Sequence, residues 1–391
     1  MEDEKINILV IGVSCFDGMA SSTRVKNLLE PLVNKNEIKL NNLVYQSDNR
    51  EPIGKKGILN NIHFKIIDFR ATNIFTVWGF LIGGISFIRK SKNWQYKNII
   101  YNYNYPDLKN IWFLLYAKLI GYKIIFDIIE DNRFESHVSF MNRLRVKTSL
   151  LLFQVSRHFA DAYVAISDHL YKRVQLVGKE KVPVYLIPIT VNLNYFNKNN
   201  YIPNSSNLKI FYGGSFGEKD GLPYLIDAFE EVSKTNATLQ LILTGAGNKP
   251  DMEKLQIKIG SSSNKDRIIF KGFLGTQEYY EVLNSCDIFC MTRINSPFAN
   301  AGFPFKLGEF LAAGKAVIAT KVGDVSKYLC NNENALLINP NSVTEISAAL
   351  KTVINYPEKI KTLGAAARKT AEANFDSELV SKKLLAIFKA V

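Results

Sequence analysis

The chain has 391 residues, 47% hydrophobic and 22% charged, with 49 Lys and Arg against 36 Asp and Glu and a formal net charge of +13. That balance excludes a disordered, collagen-like or disulfide-scaffold class, and the length exceeds what one compact core holds, so two domains are expected. Cys15, Cys286, Cys290 and Cys330 form no CxxC pair and have no His at zinc-ligand spacing, so they read as buried free thiols of a reducing compartment.

The opening MEDEKINILVIGVS puts three acids before a short apolar run and does not read as a secretory signal. Residues 1–190 carry 26 basic against 17 acidic side chains, and residues 191–391 carry 23 against 19. The segment 51–100 alone has eight basic and two acidic. A basic first half suits an anionic partner, a phosphorylated lipid or a membrane surface. Nucleic acid is set aside, because no helix-turn-helix, RNA-recognition or zinc pattern is present.

β-Branched runs alternate with helix-period segments along the whole chain, the pattern of parallel α/β layers. The first strand is expected at 6–14, followed by the polar loop CFDGMASST and a helix from about Arg24 to Val33. Further strands are expected at 62–68, 98–104, 122–129, 162–167 and 184–188. Most are apolar almost throughout, as strands covered on both faces are. Ile74 to Ile88 is apolar but contains Gly79, Gly83 and Gly84, and it falls short of the roughly 20 residues of a membrane span. It reads as a buried helix of the first domain, with an interfacial helix as the alternative.

After the Asn-rich stretch 191–207 the alternation restarts, with strands at 208–214, 239–247, 267–273, 287–292, 315–320 and 334–340. Helices are expected between them at 222–234, 250–260, 277–285, 305–313 and 343–356, then at 358–374 and 376–391. The expected organisation is a first domain over 1–190, a linker over 191–207 and a second domain over 208–375. The terminal helix, 376–391, is expected to cross back to the first domain. Two doubly wound domains place a ligand cleft between them.

Four stretches of the second domain carry chemistry. YGGSFGEKDGLPYL (212–225) ends a strand in Gly213-Gly214 and opens a helix near Pro223, with Lys219 able to act as a point charge for phosphate. TGAGNKP (244–250) repeats the design with Gly245 and Pro250. FKGFLGTQEYY (270–280) turns at Gly272 and carries Tyr279 and Tyr280, which read as core or rim. AGFPFKLGEFLAAG (301–314) places Lys306 and Glu309 three apart on one helix face that ends at Gly314.

In this order and at these separations, the motifs resemble the retaining glycosyltransferases of family 4. The stretches that carry the likeness are Gly214 with Lys219–Gly221, LILTGAG, RIIFKGF, CDIFCMT, GFPFKLGEFLAAGKAVIATKVGDV and GAAARKTAEANFDSELV. In the first half INILVIG, ADAYVAISDHL and VYLIPITVNLNYF look like the family as well. The resemblance implies a GT-B fold, α/β with two Rossmann-like domains, and transfer from a UDP- or GDP-sugar without a further cofactor. No DxD-like motif stands in a strand-end loop, so metal-independent transfer is expected, with Lys219, Lys306 and helix N-terminal amides offsetting the diphosphate charge. Glu309 matches the second carboxylate of the paired-Glu motif, which holds the ribose, and Lys219 the lysine that neutralises the diphosphate. Gly302, Phe303 and Pro304 fall where the backbone meets the transferred sugar and phosphate. Gly272, Phe273 and Leu274 match the segment that reads the base. Gly12, Gly18, Ser21 and Ser22 match the first-domain loop that closes over the substrates.

Two positions depart from the pattern. The first carboxylate of the pair falls at Ala301 and the loop arginine at Ser215. Lys306, in a Pro-x-Lys variant that also looks like the family, becomes the candidate to supply the missing cation. On the acceptor side, KIIFDIIEDN puts Ile129 where the family often has a His, with Asp127, Glu130 and Asp131 around it. Strand-end acids at a sheet's C-terminal edge are fair site candidates, and Glu130 is taken as the group that orients or deprotonates an acceptor hydroxyl; a capping cluster is the alternative. Arg143, Arg145 and Lys147 beyond it read as a membrane-docking or a solvated helix face.

The expected activity is transfer to a glycan or a polyprenyl-diphosphate-linked acceptor in surface polysaccharide or lipopolysaccharide assembly. The expected location is cytoplasmic, with peripheral contact at the inner face of the cell membrane. The alternative is a non-catalytic GT-B homologue that binds an active transferase.

Overall fold

The structure, a computed structural model, describes residues 4–15, 20–33, 37–46, 55–68, 74–134, 140–196 and 207–391. It divides into two compact units: Met1–Pro188 with Ser377–Val391, and Ile189–Asp376. Of the expected linker, residues 191–196 and 207 are described and belong to the second unit, while 197–206 lie outside the described residues.

The first unit is built on an eight-stranded sheet. Its elements run β1 (Ile6–Ile11), α1 (Ala20–Val33), β2 (Ile38–Gln46), β3 (Lys56–Leu59), β4 (Ile62–Asp68), α2 (Ile74–Ser91) and β5 (Lys97–Tyr103). They continue with α3 (Ile111–Leu119), β6 (Lys123–Ile128), α4 (Phe140–Ser156), β7 (Ala162–Ala165), α5 (Asp168–Gly178) and β8 (Val184–Leu186). The strand order is β3-β4-β2-β1-β5-β6-β7-β8, parallel except for the β3–β4 hairpin. The order reverses direction at β1, which pairs with β2 on one side and β5 on the other. β1 is buried at every residue, as a central parallel strand covered on both faces must be.

The second unit's sheet has six strands in the order β11-β10-β9-β12-β13-β14, all parallel. Its elements are β9 (Lys209–Ser215), α6 (Leu222–Ser233), β10 (Gln240–Ala246), α7 (Lys249–Gly260), β11 (Ile268–Gly272), α8 (Thr276–Asn284) and β12 (Ile288–Met291). Then come α9 (Pro297–Ala301), α10 (Phe305–Ala312), β13 (Ala316–Thr320), α11 (Val325–Tyr328), β14 (Leu336–Ile338), α12 (Val343–Asn355) and α13 (Glu358–Asn374). The last helix, α14 (Ser377–Ala390), packs on α1 and belongs to the first unit. Each unit is thus a Rossmann-like α/β layer, with a switch point where the winding reverses.

Four local features differ from the sequence reading. β2 was not expected because IKLNNLVYQ breaks the apolar run with Asn41 and Asn42. Both amides are buried and satisfied: Asn41 donates to Asn7 Oδ1 at 2.8 Å, Asn7 donates to Asn98 Oδ1 at 2.7 Å, and Asn42 donates to the Val13 carbonyl at 2.8 Å. A row of amides across three strands lets polar side chains sit inside a sheet without a desolvation penalty. β3 is an exposed edge joined to β4 through Asn60 and Asn61, both at positive φ, the conformation a two-residue hairpin turn requires. Cys330 is exposed, unlike the other three cysteines. Finally, α2 is not a buried helix: only Gly84 and Ile88 of its residues are fully buried.

Deep in the first unit, Arg24 of α1 forms a fork with Asp127 of β6, its Nε and Nη2 lying 2.8 and 2.9 Å from the two carboxylate oxygens. Its remaining donors reach the carbonyls of Pro188 at 2.7 Å and Ile187 at 3.1 Å. Both side chains are essentially inaccessible. Burial works against the guanidinium charge, yet Asp127 more than offsets it and the Arg24 pKa is raised. Removing one member strands the other charge in the interior. Arg24→Met is therefore expected to cost about 3–5 kcal/mol in urea unfolding of the full chain. A cost under about 1 kcal/mol would show that the pair does not organise this unit.

Tyr45, Tyr101 and Tyr212 are held well above the ordinary phenol pKa of 10.0, in each case chiefly by burial. The folded state therefore keeps protons that the unfolded chain releases as pH passes about 10, so stability falls with rising pH in that range. Thermal melts stepped from neutral to alkaline pH should show the midpoint dropping once pH exceeds about 10. A midpoint unchanged through that range would contradict the burial of these phenols.

Candidate functional site

Beside the switch point of the second sheet, the end of β10 comes too close to β9 for a side chain. A Cβ on Gly245 would lie 1.8 Å from the Gly214 carbonyl oxygen, and its φ is +131°. After β9 the chain makes a tight turn over Glu218–Asp220 and enters α6 at Gly221, whose φ is +65°. A Cβ there would meet the Thr292 carbonyl oxygen at 2.0 Å. The loops after β9 and β12 are stitched together at this point. Ile294 N–H donates to the Lys219 carbonyl at 3.0 Å, and Thr292 Oγ1 donates to the Asp220 carbonyl at 3.2 Å.

This stitching sets where the charged groups stand. The Lys219 ammonium lies 4.3 Å from the centroid of the Phe298 ring on α9. Ser215, where the loop arginine is missing, is exposed and donates its hydroxyl to the buried carboxylate of Asp220. On the other oxygen of Asp220 stands Arg293, with Nε at 3.7 Å. An arginine thus reaches the mouth of the glycine loop from the end of β12 rather than from the loop itself. Sequence reasoning missed Arg293, because its neighbourhood to residue 220 exists only through the β9–β12 pairing.

Glu309 lies on α10 and is 2% exposed, so it is not a solvated helix carboxylate. Tyr279 Oη donates to its Oε2 at 2.7 Å and Tyr280 Oη to its Oε1 at 3.2 Å. Lys306 Nζ is 3.1 Å from Oε2, the pairing that their three-residue spacing permits. The same ammonium lies 4.0 Å from the centre of the Tyr279 ring. Tyr280 in turn stacks on Tyr195, centroids 4.3 Å apart and planes at 5°. Burial and then the Glu309 charge push the Tyr279 pKa well above its ordinary value, so it stays a donor. The two tyrosines read as core or rim are therefore the direct partners of the carboxylate. α10 follows β12 and leads into β13, so its first turn, with Lys306, lies at the C-terminal edge of the sheet, as do the loops bearing Lys219 and Arg293.

The other expected positions are distributed as follows. Gly272 closes β11 at φ +68°, Phe273 after it is 62% exposed and Leu274 is half-buried. Gly302 ends α9, and the Phe303 side chain turns inward against Tyr328 and Phe375. Pro304 caps α10 but has no N–H, so only Gly302 and Phe303 of that trio own backbone donors. Ala301, where the first carboxylate of the pair is missing, is fully buried.

In the first unit the strand-end acids are not one cluster. Asp127 belongs to Arg24, as described. Asp131 is buried, ion-paired with Arg133 at 2.7 Å and with Arg173, and hydrogen-bonded to His169 Nε2 at 3.0 Å. Both are committed to structure, which leaves Glu130 as the exposed acid of the three. Gly12 has φ +89°, and Ser21 and Ser22 open α1. Gly18 lies outside the described residues.

Residues 196–370 match the family described as glycosyl transferases group 1. The chain is 21% identical over 248 residues to the uncharacterized glycosyltransferase YqgM of Bacillus subtilis, covering 63% of this chain and 65% of that protein. It is 25% identical over 175 residues to the lipopolysaccharide core biosynthesis glycosyltransferase LpsD of Rhizobium meliloti, covering 45% and 47%. Among solved structures, Anabaena Alr3699/HepE in complex with UDP superposes with a TM-score of 0.72 at 16% identity, covering 99% of this chain and all of that one. The fold is GT-B, and the match over the second unit supports a glycosyltransferase.

Proposed function

We propose that the protein is a retaining glycosyltransferase that moves a sugar from a nucleoside-diphosphate-sugar, UDP- or GDP-linked, to a glycan or polyprenyl-diphosphate-linked acceptor. The observation that carries this reading is the convergence of Lys219, Arg293 and Lys306 on the C-terminal edge of the second sheet. Such an edge at a switch point is where doubly wound sheets bind nucleotides. A leaving diphosphate needs its growing negative charge offset, and three cations at one edge supply that without a metal ion. Arg293 would stand in for the arginine that Ser215 does not provide.

Glu309 has the role of holding the ribose diol. An ionised carboxylate has about four acceptor positions, of which Tyr279, Tyr280 and Lys306 take three. A ribose hydroxyl would take the fourth or replace Lys306, releasing that ammonium to the diphosphate. Glu130 would orient or deprotonate the acceptor hydroxyl. HepE has been solved with UDP-glucose as well as with UDP, which supports a nucleotide-sugar donor. The likeness to LpsD supports a place in lipopolysaccharide or surface polysaccharide assembly.

Calorimetry of the full chain with UDP and GDP, followed by a panel of their sugars with release of the free diphosphate as readout, tests the reading. One diphosphate should bind, and Lys219→Ala and Arg293→Ala should each weaken it about tenfold or more, the loss of a charge-assisted contact. Glu309→Gln should weaken binding of the nucleotide as well. A chain that binds neither diphosphate and turns over no donor would sink the enzyme reading and favour a non-catalytic homologue.

Tyr279→Phe should also perturb Lys306, because it removes the hydroxyl that shares Oε2 with the ammonium. The expected result is weaker diphosphate binding with the melting temperature lowered by only a few degrees, about 1 kcal/mol of stability. Unchanged affinity would separate the tyrosine cluster from the donor site.

A further inference from the structure

The outer side of one helix layer in the first unit is apolar where solvent should meet it. On α2, Phe75 is 82% exposed and Trp78 57%, with Ile74 and Ile82 on the same stripe at one-turn spacing. α2 packs beside α3, whose own outer stripe is Trp112, Leu115 and Leu119, at 59, 44 and 84% exposed. α4 is tied to the turn before α3 by the Ser149 hydroxyl on the Pro106 carbonyl at 2.9 Å, and it exposes Phe140, Met141 and Leu144. Single exposed hydrophobic residues are ordinary, but three neighbouring helices showing them on one side are not.

The composition of this face points to one kind of occupant. All three tryptophans of the sequence lie on or beside it, Trp78, Trp94 and Trp112, and each is more than half exposed. Tryptophan prefers the boundary between water and lipid, where its ring is half solvated. Basic side chains border the apolar stripes: Arg89 and Lys90 in the last turn of α2, Lys109 before α3, and Arg143, Arg145 and Lys147 on α4. None of the three helices carries an Asp or Glu.

By length and composition α2 is long and apolar enough to cross a membrane. Its inner stripe, however, is already packed, with Gly84 so close to the Phe113 ring that a Cβ would lie 2.4 Å from it. Tyr45, Phe80 and Phe113 form an aromatic cluster beneath the same helix, with centroids 5.0–5.9 Å apart. A helix with one face on a sheet and the other apolar lies on a bilayer rather than through it.

We infer that the face formed by α2, α3 and the start of α4 docks on an anionic lipid bilayer, the aromatic and aliphatic stripes entering the headgroup boundary and the basic rim meeting lipid phosphates. The inference does not depend on donor chemistry, since it concerns the first unit, not the second, and is read without nucleotide.

Flotation of the full chain with vesicles of phosphatidylcholine alone, or mixed with phosphatidylglycerol, tests it. The chain should float with the anionic vesicles, show a blue shift of tryptophan emission and return to solution in high salt. Phe75→Ser with Trp78→Ser should abolish flotation without lowering the affinity for UDP or GDP. Arg143→Glu with Arg145→Glu should reduce anionic binding at least tenfold. If the double polar variant does not fold, Leu119→Ser serves as the milder probe and should weaken binding severalfold. Absence of flotation, equal binding to neutral vesicles, or attachment that survives high salt and alkaline carbonate would each overturn surface docking. So would size-exclusion data in which the Phe75/Trp78 variant only converts a dimer to a monomer. Loss of nucleotide binding with flotation intact would fault the glycosyltransferase reading alone.

Discussion

Parallel strand pairing is the constraint from which the rest of this molecule follows. Two parallel strands cannot be joined by a tight turn, so each pair needs a crossover, here usually a helix, and the helices cover the sheet faces. The crossovers return the chain so that, β3 apart, the strands of each sheet end at the same edge. At β9 and β12 of the second sheet, consecutive windings depart in opposite directions, and their loops are left facing one another. Lys219, Arg293 and the first turn of α10 are collected there by topology, although up to 87 residues separate them in the chain.

Once that edge exists, the chain handles buried charge in two ways. In the first unit Arg24 and Asp127 are fully enclosed, four N–H groups of the guanidinium are hydrogen-bonded, and the result ties α1 to β6 and to the strand end at Pro188. Asp131 is spent in the same manner on Arg133, Arg173 and His169. Glu309 is different: its partners are two phenols and a lysine that is 30% exposed. Such a carboxylate can exchange one partner for another with less loss than a carboxylate locked in a fork, and that exchange is what a binding site asks of it.

Much of this was legible in advance. The apolar, β-branched runs found β1 and β4 to β14 to within about three residues, because most of their positions are apolar, and β1, β7, β12 and β13 are buried throughout. The glycines before α6 and the Pro-x-Lys-x-x-Glu run marked the edge of the second sheet. What escaped was structure supported by pairing rather than by hydrophobicity. β2 looks polar until Asn7 and Asn98 are seen beside its asparagines, and β3 has no buried face at all. The tyrosines on α8 looked like packing because nothing in their spacing points to a glutamate 29 and 30 residues away.

The amino-acid sequence by itself determined the class of the fold, the order of strands and helices and the presence of one carboxylate with its helix-mate lysine, since each rests on local periodicity or on spacing within one turn. Tertiary structure decided which charges are bound to one another and which face solvent. It committed Asp127 and Asp131 to internal ion pairs, left Glu130 outside, brought Arg293 to Asp220, and turned the apolar face of α2 outward. Those outcomes depend on distances between residues far apart in the chain. Packing sets such distances, and no residue's own preference encodes them.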